Sequence, residues 1–174
     1  MTGPILNLAD VDFMNWGHGV AIPGAKEASE HYQAHIGFIG PKVGARQLGY
    51  NLTVVPPGKR AFPFHSHRVN EEMFFVLEGN GDIRIGEKTY PIRQGDIVAC
   101  PAGGPETAHQ IVNTSGADIK YLAVSTRRHP EIVDYPTTGR FGVLSEEPAG
   151  PDGGTRSFRF VGRPADSLDY WQGE

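Results

Sequence analysis

Cysteine is nearly absent from this chain, because a single residue, Cys100, occurs among 174. One cysteine cannot form an internal disulfide, which argues against a small, cross-linked secreted domain. Cys100 follows the apolar run at 97–99, and this pattern predicts a buried, inert thiol rather than a nucleophile. Together these features favour a reducing compartment, and we expect a cytoplasmic protein.

Long apolar runs and basic clusters are also missing. No stretch has the about 20 apolar residues that a membrane helix needs, and residues 1–10 lack the basic start and apolar run of a signal peptide. The net charge is −4 and no run of Lys or Arg occurs, which argues against a broad surface that binds the phosphates of a nucleic acid. We therefore expect neither a membrane nor a nucleic-acid partner.

Glycine and proline are plentiful, with 23 and 14 residues respectively. This composition suits many short strands and turns, and the length suits one domain with a real core. Strand candidates recur between turn residues at 47–55, 73–78, 82–85, 89–92, 97–101, 109–113 and 119–125. Their spacing predicts an all-β fold of antiparallel strands, either a sandwich or a barrel.

The two ends of the chain are less regular than its centre. A short helix is possible within 25–35, and a strand is expected at 156–161. The ends carry large aromatic residues, which predicts that both pack on the central domain rather than forming free tails. These residues are Trp16, Phe38, Phe158, Phe160, Tyr170 and Trp171.

Three of the seven histidines lie close to a glutamate in the central region. His65 and His67 are two residues apart, so both can face one side of a strand. Glu72 opens the next strand, and a hairpin could return it to that side. His109 would arrive on a separate strand. Imidazole suits Zn, Cu, Fe and Ni, while carboxylate also suits Mn.

A plainer interpretation of these residues stays open at this point. The histidine pair could be a solvated patch, and Glu71 and Glu72 could be ordinary surface carboxylates. The other histidines lack ligand spacing and are expected at the surface or in hydrogen bonds. They are His18, His31, His35 and His129.

The spacing of these residues resembles the first motif of the cupin superfamily, G-x5-H-x-H-x3/4-E-x6-G. From His65 to Gly79 the match is complete if Glu72 is the acidic ligand. Glu71 fits the shorter gap but misplaces Gly79. Gly58 lies one residue further from His65 than the motif has it.

The second cupin motif, G-x5-P-x-G-x2-H-x3-N, is also recognisable. Gly95, Pro101 and Gly103 fit it, and Asn113 fits once His109 is placed. His109 follows Gly103 by five residues instead of the usual two. The loop before His109 is therefore longer than usual, and it could shape the mouth of the site.

The resemblance implies a double-stranded β-helix, the cupin jelly-roll barrel, over residues 45–126. Residues 1–44 would be an N-terminal arm packed on the barrel and residues 127–174 a C-terminal arm. The implied ligands are His65, His67, Glu72 and His109. They would hold one divalent transition-metal ion, namely Zn, Fe, Mn or Ni.

The resemblance says less about activity, because fold alone does not give function. The chain resembles uncharacterised bacterial cupins often labelled sugar-phosphate-isomerase-like. One hypothesis is a metal-dependent enzyme on a small polar molecule: an isomerase of a sugar or sugar phosphate, or a dioxygenase. The alternative is a non-catalytic metal-containing module that binds or senses a small molecule. The sequence assigns no catalytic residue.

Two polar segments near the motifs allow more than one interpretation. Arg127 and Arg128, next to His129, could hold an anionic substrate or belong to a solvated loop. Glu106, in the long loop before His109, could reach a substrate or a metal-bound water. It could equally point into solvent from a surface turn.

The strand at 73–78 predicts something about assembly. Met73, Phe75 and Leu77 lie on the face opposite Glu72 and Phe74, so the strand is apolar on both faces. A strand in a sheet with one solvent-exposed face should alternate apolar and polar residues. The outer face therefore needs a cover, either an arm of the same chain or a second subunit. Cupins are often dimers, and we expect a homodimer.

Overall fold

A computed structural model of the protein describes residues 3–21, 26–148 and 155–171. Over these residues the chain forms β-strands and three short 3-10 helices, and it contains no α-helix. The strands are β1 (Met14–Gly17), β2 (Gln33–Phe38), β3 (Leu48–Val55), β4 (Ser66–His67), β5 (Glu72–Glu78), β6 (Asn80–Ile85), β7 (Lys88–Arg93), β8 (Ile97–Cys100), β9 (His109–Val112), β10 (Ile119–Thr126), β11 (Glu131–Tyr135), β12 (Arg140–Pro148) and β13 (Thr155–Gly162). The 3-10 helices are Leu8–Asp10, Gly40–Val43 and Pro164–Asp166.

The strands form three antiparallel sheets that together make a double-stranded β-helix. The largest has the order β1-β2-β3-β10-β5-β8, the second β13-β12-β11-β4 and the third β7-β6-β9. This all-β jelly-roll barrel confirms the predicted fold class. No helix among the described residues has the length and apolar character that crossing a bilayer requires.

Alternation along the central strands decides which residues fill the barrel. In β10, Ile119, Tyr121 and Ala123 are buried while the residues between them are half-buried. Phe74 and Val76 of β5 point to the same interior. Burial of a large apolar side chain contributes about 1.5–3 kcal/mol, so this apolar interior stabilises the barrel.

Glycines close the tight connections between strands. Gly79 joins β5 to β6 with a φ of +79°, and a Cβ there would lie 2.3 Å from the carbonyl oxygen of Asp118. Gly86 turns β6 into β7 with a φ of +55°. Both angles lie in the left-handed region that glycine adopts at low cost, which explains why turn residues marked the strand boundaries well.

The N-terminal region differs from the prediction of a helix within 25–35. Residues 33–38 instead form β2, which pairs with both β1 and β3. Ala34 and Ile36 are each 1% exposed, and their alternation is that of a strand. Sheet pairing therefore overrode local helix propensity. Residues 22–25 lie outside the described residues.

The two ends of the chain pack differently. Trp16 packs against the main core and donates a hydrogen bond from Nε1 to Ala61 O at 3.2 Å, as expected. The prediction is wrong for the C-terminal aromatics, because Phe158 is 58% and Trp171 73% exposed. For Phe158 the physical reason is that β13 pairs with β12 alone, at the sheet edge, while Trp171 lies beyond the last strand.

Strands of both predicted arms hydrogen-bond to the central segment. β2 pairs with β3, and β11 pairs with β4. The division into 1–44, 45–126 and 127–174 stays a prediction. The pairing of β11 matters most here, because it brings the C-terminal part of the chain beside His67.

Candidate metal centre

The four predicted ligands converge in one place. His65 forms an antiparallel bridge with His109, with N–O distances of 3.2 and 2.7 Å. His67 lies on β4 and Glu72 begins β5. One ligand atom from each residue lies within 4.8 Å of the others. The backbone pairing of separate strands therefore places these side chains together.

The Glu72 carboxylate stands at the centre of the group. Its Oε2 lies 2.9 Å from His109 Nε2, 3.4 Å from His67 Nε2 and 3.9 Å from His65 Nε2. The four side chains are between 3 and 18% exposed. Three imidazole nitrogens thus face one carboxylate oxygen in a largely dry setting.

Backbone carbonyls orient two of the imidazoles. His65 Nδ1 donates to Pro63 O at 2.8 Å, and His109 Nδ1 donates to Thr107 O at 3.2 Å. A carbonyl oxygen only accepts, so Nδ1 carries the proton and Nε2 of the neutral ring keeps its lone pair. This is the arrangement that metal-binding histidines commonly have.

A buried carboxylate, Glu131, supports the third imidazole. It is 3% exposed, and its Oε2 lies 3.6 Å from His67 Nδ1. Its oxygens accept hydrogen bonds from the backbone N–H of Val69, Asn70 and Ile132 at 2.8–3.2 Å, and from the Asn70 side chain. These bonds hold the carboxylate in place behind His67.

The local environment shifts the ionisation of these groups. Burial, with a smaller contribution from the neighbouring His109 imidazole, lowers the pKa of His65 to about 4. Burial alone would lower the pKa of His67, but Glu72 and Glu131 outweigh it and the net pKa is raised. Burial alone would raise the pKa of Glu72, but the surrounding imidazoles outweigh it and the pKa falls well below its ordinary value.

The residues present fit a divalent transition-metal ion. Both ring nitrogens of His67 are buried and make no hydrogen bond within the described part of the chain. Unprotonated Nε2 atoms facing a carboxylate oxygen repel it unless a cation or a proton lies between them. Three imidazoles and one carboxylate are a donor set for Zn, Fe, Mn or Ni. Their assignment as ligands stays a prediction.

Two cavities open onto this group of side chains. One, of about 260 Å³, is lined by all four residues together with Phe62 and Tyr135. The other, of about 340 Å³, touches His67 and Glu72 and extends towards Arg127. A small molecule in either cavity would reach the candidate metal centre.

Glu72, rather than Glu71, is the acidic member of the group. Glu71 is exposed, while Glu72 is 18% exposed and faces the histidines. The spacing argument from Gly79 therefore selected the residue that the structure places in the centre.

The remaining histidines fall into two groups. His18 and His35 make hydrogen bonds through Nδ1, to Ala28 O at 3.0 Å and to Asn15 Oδ1 at 2.9 Å, and His31 is exposed. His129 differs from the surface prediction, because it lines the larger cavity beside Glu146. The return of β11 and β12 over the barrel puts it there.

The long loop before His109 does not line either of these cavities. Glu106 is exposed, and its Oε1 accepts from the backbone N–H of Gly104 at 2.9 Å. Residues 103–105 instead border a separate cavity of about 510 Å³ beside Arg68 and Arg140. The structure therefore favours the surface turn for Glu106.

Sequence reasoning missed the contributions of β11. Glu131 supports His67, while Val133 and Tyr135 line the cavity at the centre. The β-branched and aromatic residues within 131–135 would have favoured a strand. Its pairing with β4 gave no signal in the sequence, because the paired positions are 66 and 68 residues apart.

Comparison with known proteins identifies the central segment. The family description for the cupin domain matches residues 51–125. Two curated relatives match over shorter segments: an uncharacterised protein of Methanocaldococcus jannaschii, 31% identical over 72 residues, and an oxalate-binding protein of Thermotoga maritima, 33% identical over 70. These matches cover 41% and 40% of this chain, and the chain spans about half the length of each relative, 54% in both cases.

A solved structure resembles nearly the whole chain. It is a sugar phosphate isomerase of the cupin superfamily from Silicibacter pomeroyi, with a TM-score of 0.74 and 26% identity. The similarity covers 96% of this chain and 98% of that one. The jelly-roll topology, the two motifs and these similarities agree, and residues 51–125 form a cupin domain.

Proposed function

We propose that this protein is a metal-dependent isomerase of a small hydroxy-carbonyl compound, a sugar or a sugar phosphate. The observation that carries the proposal is the convergence of His65, His67, Glu72 and His109 at a point that opens onto two cavities. The similarity to a sugar phosphate isomerase over 96% of the chain supports the choice of reaction.

The chain's own residues have clear parts in such a reaction. The three neutral imidazoles and the Glu72 carboxylate would hold a divalent ion, which as a Lewis acid polarises a bound carbonyl group. Phe62 and Phe74 give the smaller cavity apolar walls that restrict water. Burial raises the pKa of Tyr135, so its hydroxyl stays protonated and can donate a hydrogen bond to a substrate oxygen.

A second candidate is a non-catalytic module that binds a small chelating anion at the metal. The observation favouring it is the oxalate-binding protein, 33% identical over 70 residues. A dioxygenase is a third candidate, since a redox-active ion held by the same residues would suffice for it. No contact or similarity described above favours it over the other two.

One experiment separates these functions. The protein is purified from its native host without added metal, its metal content is determined, and it is incubated with aldoses, ketoses and their phosphate esters. Interconversion of an aldose and a ketose, followed by NMR and lost after chelation, is the expected result. Saturable binding of oxalate without turnover of any sugar would overturn the isomerase in favour of the binding module, and oxygen consumption would favour the dioxygenase.

A further inference from the structure

The cavity of about 340 Å³ that touches His67 and Glu72 has a polar end beyond the candidate metal centre. On the inner face of the main sheet, Glu72 pairs with Ser125 and Ser125 pairs with Gly49. Arg127 is the next residue after Ser125 with the same alternation, about 7 Å further along the chain direction. Arg127 lines the same cavity as Glu72.

The Arg127 side chain starts beside Gly49 of β3. A Cβ at Gly49 would lie 2.8 Å from Ser125 Oγ, so the glycine leaves room for that hydroxyl. The same Cβ would lie 3.7 Å from the Cγ and Cδ atoms of Arg127, so the arginine stem passes within van der Waals distance of this position. The backbone N–H of Arg127 donates to Gln47 O at 2.8 Å, which fixes the start of the side chain.

Arg127 belongs to a group of three polar side chains at this end. Its Nη2 donates to Glu146 Oε2 at 2.6 Å, and His129 Nε2 lies 3.6 Å from the same oxygen. The side chains are 36, 24 and 21% exposed for Arg127, Glu146 and His129. His129 Nδ1 is buried and makes no hydrogen bond within the described residues.

We propose that Arg127, Glu146 and His129 form a subsite for the hydroxyl groups of an uncharged polyol portion of the ligand, whose other end reaches the metal centre. The inference rests on the proposed function, because it requires a small molecule in this cavity. At about 340 Å³, the cavity is near the lower end of the range for small-molecule sites.

The mixture of donors and acceptors favours hydroxyl groups. A hydroxyl both donates and accepts, whereas a phosphate ester at neutral pH mainly accepts. The guanidinium of Arg127 supplies donors, the carboxylate of Glu146 supplies an acceptor, and the buried His129 Nδ1 lacks a partner. Adjacent hydroxyls of a polyol can satisfy all three.

The balance of charge disfavours an anionic group at the same place. The Arg127 charge is already offset by Glu146 at 2.6 Å. Glu131 and Glu72 also line the cavity, and like charges that approach within a low-dielectric pocket are costly. An exposed ion pair contributes little to stability by itself. The pair of Arg127 and Glu146 matters here because it borders the same cavity as Glu72.

The test uses calorimetric titration of the full, metal-loaded chain. The probes are glucose and xylitol for the subsite, the terminal phosphate ester of glucose as the anionic counterpart, and oxalate for the metal end. Glu146→Gln removes the charge while keeping the shape. Glu147→Gln is the matched control, since Glu147 is the adjacent residue and pairs with Arg156 outside the cavity.

Wild type should bind glucose and xylitol. Glu146→Gln should lower the affinity for both about tenfold, because one charge-assisted hydrogen bond is lost. Oxalate affinity in Glu146→Gln, and every affinity in Glu147→Gln, should stay within about twofold of wild type. Arg127→Met provides a second variant with the same expected loss should Glu146→Gln fold poorly.

Several outcomes would overturn the subsite. Phosphate-ester binding about tenfold tighter than glucose, with the gain lost in Arg127→Met, would show an anion site instead. Equal behaviour of Glu146→Gln and Glu147→Gln, or oxalate binding without polyol binding, would remove the subsite and leave the metal pocket standing. If the protein bound no metal, the proposed function would be excluded as well.

Discussion

At the scale of single residues, His67 links the metal motifs to the C-terminal part of the chain. Its Nε2 lies 3.4 Å from Glu72 Oε2 on one side, and its Nδ1 lies 3.6 Å from Glu131 on the other. Replacing this ring should therefore affect the metal more than the fold.

We expect His67→Ala to lose tight metal binding and keep its fold. The main core is built from apolar residues that do not include His67, whereas one imidazole of the candidate ligand set is lost. Metal content per chain after gel filtration should fall from about one towards zero, with an unchanged β-sheet circular dichroism spectrum. His35→Ala, which removes a histidine outside the centre, is the control. Full metal content in His67→Ala would exclude the assignment.

We expect metal affinity to fall as the pH is lowered, because protons compete for the imidazole nitrogens. The raised pKa of His67 means that its proton must be displaced even above pH about 6.5, the ordinary value. The lowered pKa of His65, about 4, keeps that ring available. Titrations in buffers of different ionisation enthalpy should show proton release at neutral pH. Metal content unchanged down to pH about 3 would argue against histidine ligands.

The same pKa shifts make the stability of the metal-free protein depend on pH. The depressed pKa of Glu72 contributes stability that is present above its unfolded value and lost as the pH falls. The raised pKa of His67 contributes stability that is present below its unfolded value and lost as the pH rises through the folded value. The lowered pKa of His65 acts in the opposite sense, because holding this imidazole neutral costs stability as the pH falls below its unfolded value of about 6.5.

Glu131→Gln should weaken both the fold and the metal site. The new amide would place a donor against backbone N–H groups that now donate to the carboxylate, at a cost of about 1–3 kcal/mol. Loss of the group behind His67 should reduce metal affinity about 10–100-fold. Chelator competition below the melting temperature measures the second effect separately, with Glu147→Gln as control. An unchanged metal affinity would limit Glu131 to a structural role.

At the scale of secondary structure, the turn chemistry located the strands well and the loops less well. The candidates at 73–78 and 119–125 correspond to β5 and β10 within a residue at each end. The loop before His109 is long, as its spacing indicated. Sequence spacing carries no information on the direction in which a loop points, and this loop faces the cavity beside Arg68 and Arg140.

We expect Glu106→Gln to leave metal affinity and ligand affinity within about twofold of wild type, as is usual for exposed residues. The side chain is exposed and hydrogen-bonded to its own loop. The deletion of residues 104–106 should likewise spare the metal, because His109 is held by its backbone bridge to His65. A marked loss of ligand affinity in Glu106→Gln would place that carboxylate at the site after all.

At the scale of the whole molecule, the outer face of the main sheet is partly covered. Leu77 packs with Val11, Ile39 and Leu52 in a second apolar cluster, so the N-terminal part of the chain covers one end of the face. Ile97, which pairs with Phe75, is 70% exposed. The exposed aromatics of β13 add a second apolar surface.

We expect a homodimer that buries the Phe75 and Ile97 face, because exposed apolar patches of this kind mark interfaces. Phe75→Asp should then produce monomers or aggregates, measured by light scattering over a range of concentrations. Leu168→Asp, which changes an apolar residue that is 76% exposed and belongs to no strand of the main sheet, is the control. A monomeric wild type at every concentration would exclude the dimer.

The sequence by itself determined the all-β class, the positions of the central strands β3 and β5 to β10, and the four candidate ligands. Alternation, turn residues and ligand spacing are local properties, so 65–109 carried enough information to group His65, His67, Glu72 and His109. The tertiary structure alone decided the rest. The β11–β4 pairing brings Glu131 behind His67, and the return of β12 places Glu146 beside Arg127. These contacts join residues that are 19 to 64 positions apart, and no local pattern encodes which distant strands will pair.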